Sequence, residues 1–310
     1  MAHSNILVLG SINTDLVIRG QNLPAPGETV LGGQFYRAHG GKGANQAVAA
    51  ARASTTPVTL IGAVGDDPFG RETLAHFAAE NLDCRYLKTV PGEPSGVALI
   101  LVDRHGENSI SVASGANASL LPEDVDAVSD EVFHAAKVFL TCLELPLETV
   151  AHGLARARRA GLLTILNPAP ADERVCCREI MSLVDVITPN AGAAAALAGI
   201  DDRERAGAIA AVRKFQQLGC AKGIVTLGAA GCVVVEDDDT LVEGCSVEPV
   251  DTTGAGDAFN GVLAVGLAEG RSLAEAARWA NRAAALAVTR AGAQPSLPTR
   301  TEIDAFADRQ

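Results

Sequence analysis

The residues best suited to chemistry lie in Asp251–Asp257, which has the sequence DTTGAGD. Gly254 and Gly256 allow the backbone to turn tightly and keep side chains away from a ligand. The apolar run that follows predicts a long helix, whose first N–H groups and positive dipole end suit a developing phosphoryl charge. Asp257, in the first helical turn, could accept a proton from an attacking hydroxyl. A glycine-rich turn with a stabilising acid explains the run equally well, and the run alone leaves both interpretations open.

A second candidate site is Gly40–Gln46, which has the sequence GGKGANQ and also begins a predicted helix. Lys42 and Asn45 are three residues apart and therefore share one helix face. A lysine and an amide beside free backbone N–H groups would form a donor-rich pocket for sugar oxygens. The alternative is a solvated lysine at a helix N-terminus.

Polar residues also follow two predicted strands at the ends where a parallel sheet binds ligands. Asn13 and Asp15 come just after the first strand, and they face the same way if the chain is extended. Such a pair could bind a vicinal diol, because the carboxylate accepts hydrogen bonds and the amide both donates and accepts them. Glu144 is a similar candidate beyond the strand Val138–Cys142. The alternative for the Asn–Asp pair is a local turn.

Two further segments suit a nucleotide. Thr226–Gly231, with the sequence TLGAAG, forms a glycine-containing turn between two apolar runs, and Asn190 follows another predicted strand. An ordinary hairpin and a helix N-cap explain these features equally well.

Several other functions lack their sequence features. Gly65–Glu72 has the glycine spacing of a P-loop but lacks the Lys and Ser/Thr that would hold phosphate and magnesium. No G-x-G-x-x-G follows the first strand, so a nicotinamide dehydrogenase is unsupported. The net charge is −12 without a basic face, so we expect no nucleic-acid partner.

Cysteine usage and hydropathy indicate a cytoplasmic protein. The seven cysteines are odd in number, one pair is adjacent, and no C-x-x-C occurs, which favours reduced thiols. The first residues lack the basic region of a signal peptide, and no apolar stretch reaches the roughly 18 residues of a membrane span.

The elements that must position these residues alternate between strands and helices. This alternation predicts an α/β fold, a doubly wound and mainly parallel sheet with helices on both faces. We expect one domain over residues 1–310, with lid strands inserted at about 15–38 and 96–113. The predicted strands are Asn5–Leu9, Asp15–Arg19, Thr29–Phe35, Val58–Ile61, Gly96–Val102, Asn108–Val112, Val138–Cys142, Leu162–Leu166, Val184–Ile187 and Ile224–Leu227. The predicted helices are Gly41–Ala53, Gly70–Asn81, Leu147–Arg159, about Arg203–Leu218, about Ala255–Glu269 and Ser272–Val288.

Taken together, these motifs resemble the ribokinase family of sugar kinases over almost the whole chain. The family's two signature regions correspond to GGKGAN and DTTGAGD and occur in the right order. The matching segments are Gly10–Asp15, Pro24–Thr29, Gly40–Arg52, Thr253–Gly261, Ala287–Pro298 and Glu302–Phe306.

The resemblance implies a ribokinase-like α/β fold with a small β-sheet lid, whose edges often pair into a homodimer. It implies phosphoryl transfer from MgATP to the 5-hydroxyl of ribose, with Asp257 as the base and the backbone of Gly254, Ala255, Gly256 and Asp257 as an anion hole. The implied sugar site contains Asn13, Asp15, Gly41, Lys42, Asn45, Glu144 and Asp257. The implied ATP site contains Asn190, Thr226, Leu227, Gly228, Ala229, Ala230, Gly231, Gly256 and Asn281. Asp251, Thr253, Ala287, Arg290, Gly292 and Ser296 would surround a K⁺ ion, while Mg²⁺ would arrive with ATP.

One departure from the family pattern concerns the metal. Related kinases usually carry N-x-x-E, whose Glu helps to position magnesium, and here the corresponding residue after Asn190 is Ala193. Two alternatives remain beside a ribose kinase. One is a kinase for another small acceptor, such as deoxyribose, a hexose or a nucleoside; the other is a non-catalytic sugar-binding regulator.

Overall fold

The computed structural model describes residues 5–307, so the ends of the predicted 1–310 domain lie outside the described residues. The strands, numbered β1–β13 in chain order, are Ile6–Leu9, Asn13–Arg19, Gln34–Gly40, Val58–Gly65, Leu82–Val90, Gly96–Val102, Asn108–Ala113, Val138–Cys142, Leu163–Asn167, Val186–Ile187, Lys222–Thr226, Gly231–Val235 and Asp239–Glu243. The helices, numbered α1–α11, are Lys42–Ala53, Pro68–Phe77, Pro122–Asp126, Asp130–Ala135, Leu147–Arg159, Arg178–Met181, Ala191–Ala198, Arg205–Gln217, Ala255–Ala268, Leu273–Val288 and Arg300–Ala307.

A nine-stranded sheet forms the centre of the molecule, in the order β13-β12-β11-β10-β9-β8-β1-β4-β5. The pairings from β5 across to β11 are parallel, and β12 and β13 continue the sheet antiparallel at one edge. Strand β1 is entirely apolar and entirely buried, as expected for a strand covered on both faces.

Apolar residues pack against both faces of this sheet. Helices α1, α9 and α10 cover one face, where Trp279 and Phe259 are fully buried. Helices α5 and α8 cover the other face, where Phe139 and Phe215 are fully buried. The predicted α/β class, with a mainly parallel sheet and helices on both faces, is confirmed.

A separate four-stranded sheet, in the order β3-β2-β6-β7, corresponds to the predicted lid strands. Strand β2 pairs antiparallel with β3 and parallel with β6. Residues paired across strands share a face, so Asp15, Val17 and Ile100 lie on one side of this lid sheet. Because Asp15 is a candidate sugar-site residue, this face of the lid sheet is the one that faces the candidate site.

The strand predicted at Thr29–Phe35 is wrong in its position. The observed strand β3 is Gln34–Gly40, because it pairs residue for residue with β2, from Arg19 opposite Gln34 to Asn13 opposite Gly40. The polar segment before Gln34 has no such partner strand and is not extended into the sheet.

Two edge strands were not predicted. Strand β5 is rich in charged residues and only half-buried, and β13 begins at Asp239, so neither shows a clear apolar pattern. The helix predicted at Gly70–Asn81 begins earlier, at Pro68, where the Asp67 side chain accepts a hydrogen bond from the N–H of Gly70. Within residues 5–307, no helix has the length and apolar character needed to cross a bilayer.

Candidate active site

Helices α1 and α9 begin next to each other, and their first turns bring the two glycine-containing motifs together. Asp257 is 8% exposed as a residue, and its carboxylate accepts hydrogen bonds from two consecutive amides of α1. Asn45 donates to Asp257 Oδ2 over 2.9 Å, and Gln46 donates to Oδ1 over 3.1 Å. The two motifs, distant in sequence, therefore form one site.

Opposing effects act on the pKa of the Asp257 carboxyl. Burial raises the pKa of the Asp257 carboxyl, while the Lys42 ammonium and the amides of Asn45 and Gln46 act to lower it. In turn, the charge of Asp257 raises the pKa of Lys42 against the effect of burial. Lys42 therefore remains a cation beside the carboxylate, and Asp257 is a stronger base than an exposed aspartate.

Asp15 and Glu144 add two carboxyl groups to this site. Burial, Glu144 and Asp257 raise the pKa of Asp15 to about 7, and Lys42 opposes this rise. Glu144 accepts hydrogen bonds from Ser11 Oγ over 2.6 Å and from the backbone N–H of Lys42 over 3.0 Å. Three carboxyl groups therefore surround one lysine, an arrangement that suits a ligand rich in hydroxyl groups.

The orientation of Asn13 is fixed by Asn117, a residue that the sequence did not single out. Asn117 donates to Asn13 Oδ1 over 2.9 Å, and it also binds both the N–H and the carbonyl group of Ile12. Because its oxygen is occupied, Asn13 presents its amide N–H groups to a ligand. Nothing near Asn117 in the sequence indicated this role, since the partner lies 104 residues away.

The start of α1 packs so closely on the first strand that it excludes side chains. A Cβ atom on Gly41 would lie 2.7 Å from the backbone nitrogen of Asn13 and 2.8 Å from the Ser11 carbonyl oxygen. This close approach places Lys42 beside the residues that follow β1. The predicted sugar-site residues Asn13, Asp15, Gly41, Lys42, Asn45, Glu144 and Asp257 are thus gathered around the carboxyl ends of β1 and β8.

The start of α9 provides free backbone donors. Gly254 has φ +78° and is the N-cap of this helix. The N–H of Ala255 donates to the Thr252 carbonyl over 3.3 Å. Among the described residues, no partner is found for the N–H groups of Gly256 or Asp257. These two groups, at the positive end of a 14-residue helix, can receive an anion.

A cavity of about 300 Å³ borders the start of α9. It is mostly apolar, and of the predicted ATP-site residues it is lined by Thr226, Gly228, Ala229, Gly231, Gly256 and Asn281. Asn281 donates to the backbone carbonyl of Glu243 over 3.2 Å, which fixes its amide at the cavity wall. Ala255, predicted for the anion hole, and Thr252 of the same run also line this cavity. Lining residues that the sequence did not identify are Gly244, Cys245, Val247, Pro249, Phe259, Ala284, Ala285 and Val288.

Three predicted ATP-site residues do not line this cavity. Leu227 packs against the hydrophobic core, and Ala230 is exposed. Asn190 is the N-cap of α7, and its Oδ1 accepts a hydrogen bond from the N–H of Ala193 over 2.8 Å. The backbone of Asn190 nevertheless forms a bridge with Thr226, so it lies next to the cavity.

A second cavity of about 280 Å³ separates the lid sheet from the same turn. Asp15 and Val17 of the lid line one side, and Asp251–Thr253 line the other. Thr252 lines both cavities. The two cavities therefore meet at the DTTGAGD run, which is where a group would pass from a ligand in one to a ligand in the other.

The predicted potassium-site residues also come together in part. Asp251 accepts hydrogen bonds from the N–H groups of Thr253 and Gly292, each over 2.9 Å, and these bonds lower its pKa although burial opposes them. The N–H of Asp251 donates to the carbonyl of Val288, so its loop lies against the carbonyl end of α10. An ionised carboxylate beside a helix C-terminus fits a monovalent cation.

The side chains of the remaining predicted ligands point elsewhere or are already hydrogen-bonded. Arg290 pairs with Glu302 over 2.5 Å, and the Ser296 hydroxyl donates to the Ala293 carbonyl. Ala287 is buried in α10. Their contribution to a cation site would therefore come from backbone carbonyl groups.

The residues near Ala193 do not fit a magnesium ion held by the protein. Ala193 has no carboxylate, and the oxygen of Asn190 is occupied by the helix cap. Across residues 5–307, no group of three or more His, Cys, Asp or Glu side chains could hold a metal ion. Magnesium that enters as MgATP needs few protein ligands, because it keeps waters and phosphate oxygens around it.

Sequence comparison identifies a family and several relatives that this chain resembles. The profile of the pfkB family carbohydrate kinases matches residues 3–300. The chain is 41% identical over 298 residues to a ribokinase of Haemophilus influenzae, and the match covers 96% of each chain. It is also 34% identical over 307 residues to a deoxyribokinase of Salmonella typhi, covering 97% of this chain and 98% of that one.

Solved structures agree over the same length. The ribokinase of Giardia lamblia has a TM-score of 0.90 at 33% identity, covering 97% of this chain and 99% of that one. The Arabidopsis thaliana ribokinase, solved as a complex with ribose and ATP, has a TM-score of 0.88 at 30% identity and covers 99% of both chains. The expected ribokinase-like fold with its small separate sheet is confirmed.

Proposed function

This chain belongs to the pfkB family of carbohydrate kinases, and from that premise we propose that it phosphorylates D-ribose at the 5-hydroxyl with ATP. One observation carries the proposal. The lid cavity and the apolar cavity meet at Thr252, in the loop that leads into α9, and the first turn of α9 carries Asp257, a buried carboxylate with a raised pKa. With a sugar beside the lid and a nucleotide in the apolar cavity, the acceptor hydroxyl and the phosphoryl group would approach each other at the start of α9, where Asp257 lies.

Asp257 takes the proton of the attacking hydroxyl. A general base works best when its pKa approaches the working pH, and burial moves Asp257 in that direction. The N–H groups of Gly256 and Asp257, with the dipole of α9, stabilise the charge that grows on the transferred phosphoryl group. General-base catalysis of this kind typically contributes a factor of roughly 10²–10⁴.

The sugar binds between the lid and the first turn of α1. Asp15 and Glu144 accept hydrogen bonds from sugar hydroxyls, while Lys42 and the Asn13 amide donate to sugar oxygens. Lid residues such as Val17 and Ile100 cover the sugar and exclude water, which limits ATP hydrolysis.

The nucleotide binds in the apolar cavity with its base against Val247, Ala284 and Val288. MgATP is the substrate, and the residues near Ala193 supply no carboxylate to its metal. A K⁺ ion held by Asp251 and backbone carbonyls near the end of α10 would order the turn that carries the anion hole. Support for this ion comes from the hydrogen bonds that fix Asp251 between Thr253 and Gly292.

A homodimer formed through the lid is also part of the proposal. On the face of the lid sheet that points away from Asp15, Phe35 and Leu99 are 62% and 54% exposed, and Ile18 lies between them. An apolar patch of this kind on a sheet commonly marks an interface. Sedimentation equilibrium would distinguish a dimer from a monomer. A cytoplasmic location accords with the seven free cysteines.

A panel of acceptors tests the proposed reaction. We expect ATP turnover with D-ribose to exceed that with 2-deoxyribose, hexoses and nucleosides, and to rise when K⁺ replaces a larger organic cation. Turnover with no member of the panel, although ribose binds, would instead favour a sugar-binding regulator.

The likeness to a deoxyribokinase makes 2-deoxyribose the second candidate substrate. The two sugars differ only in the 2-hydroxyl group. A site that hydrogen-bonds this hydroxyl through buried polar groups rejects the sugar that lacks it. A higher kcat/KM for 2-deoxyribose than for ribose would overturn the ribose assignment while keeping the kinase mechanism.

A further inference from the structure

Gln46 contacts the candidate base from a fully buried position on α1. Its side-chain nitrogen donates to Asp257 Oδ1 over 3.1 Å and to Asn167 Oδ1 over 3.2 Å. Its oxygen, Oε1, is buried and has no hydrogen-bond partner among the described residues. Leaving a buried acceptor unpaired costs about 1–3 kcal/mol, and exceptions of this kind in a native fold call for a reason.

The orientation of the Gln46 amide is imposed by its neighbour Asn167. Asn167 Nδ2 donates to the Thr188 carbonyl over 2.7 Å, so Asn167 Oδ1 must face Gln46 as an acceptor. A reversed Gln46 amide would place Oε1 against this oxygen and against the Asp257 carboxylate. The observed orientation therefore keeps two hydrogen bonds and leaves Oε1 unpaired.

The same chain of hydrogen bonds returns to the turn that contains Asp257. The Thr188 hydroxyl donates to Asn260 Oδ1 over 2.5 Å, and Asn260 Nδ2 donates to the Gly256 carbonyl over 2.8 Å. Gly256 immediately precedes Asp257. A closed polar ring thus joins α1, the ends of β9 and β10, and the first turns of α9 beneath the proposed reaction centre.

We propose that Gln46 is a positioning residue that fixes the Asp257 carboxylate for proton transfer, with Asn167, Thr188 and Asn260 setting the direction of its amide. The proposal rests on the proposed function of Asp257 as a base. The unpaired Oε1 is its main support, because an arrangement selected for stability alone would pair this atom. Gln46 also favours the ionised form of Asp257 by donating to it.

The substitution Gln46→Met tests this role, because Met has a similar length and volume and no polar atoms. It removes the hydrogen bonds to Asp257 and to Asn167 together with the unpaired acceptor. We expect kcat to fall roughly 10- to 100-fold, the range for losing a hydrogen bond to a charged group. The acid limb of the kcat profile at saturating sugar, which reports the base in the substrate complex, should move to higher pH. The melting temperature should change little, because the loss of the unpaired acceptor offsets the two lost hydrogen bonds.

Four other ionisable groups interact with Asp257 or with its immediate charge partners, and the substitution changes none of them. They are Lys42 on α1, Asp15 on β2, and Cys142 and Glu144 at the end of β8. A moved acid limb therefore reports the loss of the Gln46 donor. Gln46→Glu should move the limb further, because it adds a negative charge beside Asp257.

Gln216→Met is the matched control, since Gln216 is a half-buried amide on α8 that donates to the Ala221 carbonyl far from the site. We expect it to leave the pH profile unchanged. Asn167→Ala, which frees the Gln46 amide without touching Asp257, should move the acid limb in the same direction by less.

Titration of the Asp257 carboxyl carbon by NMR makes the test independent of turnover. An upward move of its pKa in Gln46→Met supports the proposal even if ribose is not the substrate. An unchanged titration together with an unchanged pH profile would overturn it, and so would a loss of melting temperature as the only effect. If Gln46→Met does not fold, the same readouts on Asn167→Ala decide the question. An inactive wild type counts against the proposed function alone.

Discussion

Replacing Asp15 by Asn should stabilise the folded protein above neutral pH and at the same time weaken sugar binding. Asp15 is 8% exposed, and burial, Glu144 and Asp257 raise its pKa from 3.8 to about 7. No hydrogen bond to its carboxylate contributes to this shift. An asparagine therefore removes a costly charge without breaking a bond on which the fold depends.

The direction of the effect follows from the raised pKa. Because the folded state favours the protonated carboxyl, the stability that this preference provides is complete below pH 3.8 and is lost as the pH rises through about 7. The two pKa values differ by about 3, and each pKa unit corresponds to 1.36 kcal/mol. At pH 8 the ionised Asp15 thus lowers the free energy of unfolding by about 4 kcal/mol, and Asp15→Asn should recover much of it.

Urea unfolding at pH 5 and pH 8 measures the effect. The variant should exceed the wild type by several kcal/mol at pH 8 and by much less at pH 5. Asp201→Asn, an exposed aspartate, is the control and should change little at either pH. An equal change at both pH values, or a destabilisation at pH 8, would refute the electrostatic reasoning.

Sugar binding should respond in the opposite sense. A hydrogen bond to an ionised group is worth about 1.5–3 kcal/mol, so the KM for ribose should rise about tenfold or more in Asp15→Asn. The KM for ATP should stay near the wild-type value, because Asp15 lines the lid cavity and not the apolar one. In the wild type, kcat/KM for ribose should fall below about pH 7 as Asp15 becomes protonated, and this limb should be absent in the variant.

Three further substitutions probe the base, the turn and the metal. Asp257→Asn should lower kcat by at least about two orders of magnitude while ribose still binds, and near-normal turnover would remove Asp257 as the base. Gly254→Ala should cost about 1–2 kcal/mol in urea unfolding and lower kcat, because φ is +78° and the new Cβ would lie 3.1 Å from Ala293 Cα. The control is Gly270→Ala, which is also at positive φ but has open space around it. It should cost stability without lowering kcat. Ala193→Glu should lower the Mg²⁺ concentration needed for half-maximal activity, and an unchanged Mg²⁺ dependence would show that this position has no part in metal handling.

The sequence predicted the core of the fold because its strands are apolar runs of the length that a covered parallel sheet requires. Strand β1 and strand β8 were found almost to the residue for this reason. Edge strands such as β5 bury only part of their surface, so their residues carry no such pattern. The residue range of β3 is set by its pairing with β2. The polar segment before β3 shows no local sequence pattern that would predict this pairing.

The site was predictable where a residue type limits what the backbone can do or where a charge has few other roles. Gly41, Gly254 and Asp257 belong to short motifs with this property. Asn117 and Gln46 were missed because an amide side chain has no fixed role until its partners set its direction. Those partners, Asn13 and Asp257, lie 104 and 211 residues away in the sequence.

The candidate site combines features that oppose stability in several independent ways. Asp15 is buried with a raised pKa, Asp257 is buried beside a single lysine, and Gln46 keeps an unpaired oxygen. Buried charges and unpaired polar atoms persist when the surrounding fold over-determines them and function requires them. Each of these residues has a role in the proposed reaction. Asp15 accepts hydrogen bonds from sugar hydroxyls, Asp257 accepts the proton, and Gln46 holds the Asp257 carboxylate in place. A ligand that satisfies Asp15 and Lys42 should therefore stabilise this protein more than its buried area alone would imply, because it removes a cost that the free protein already bears.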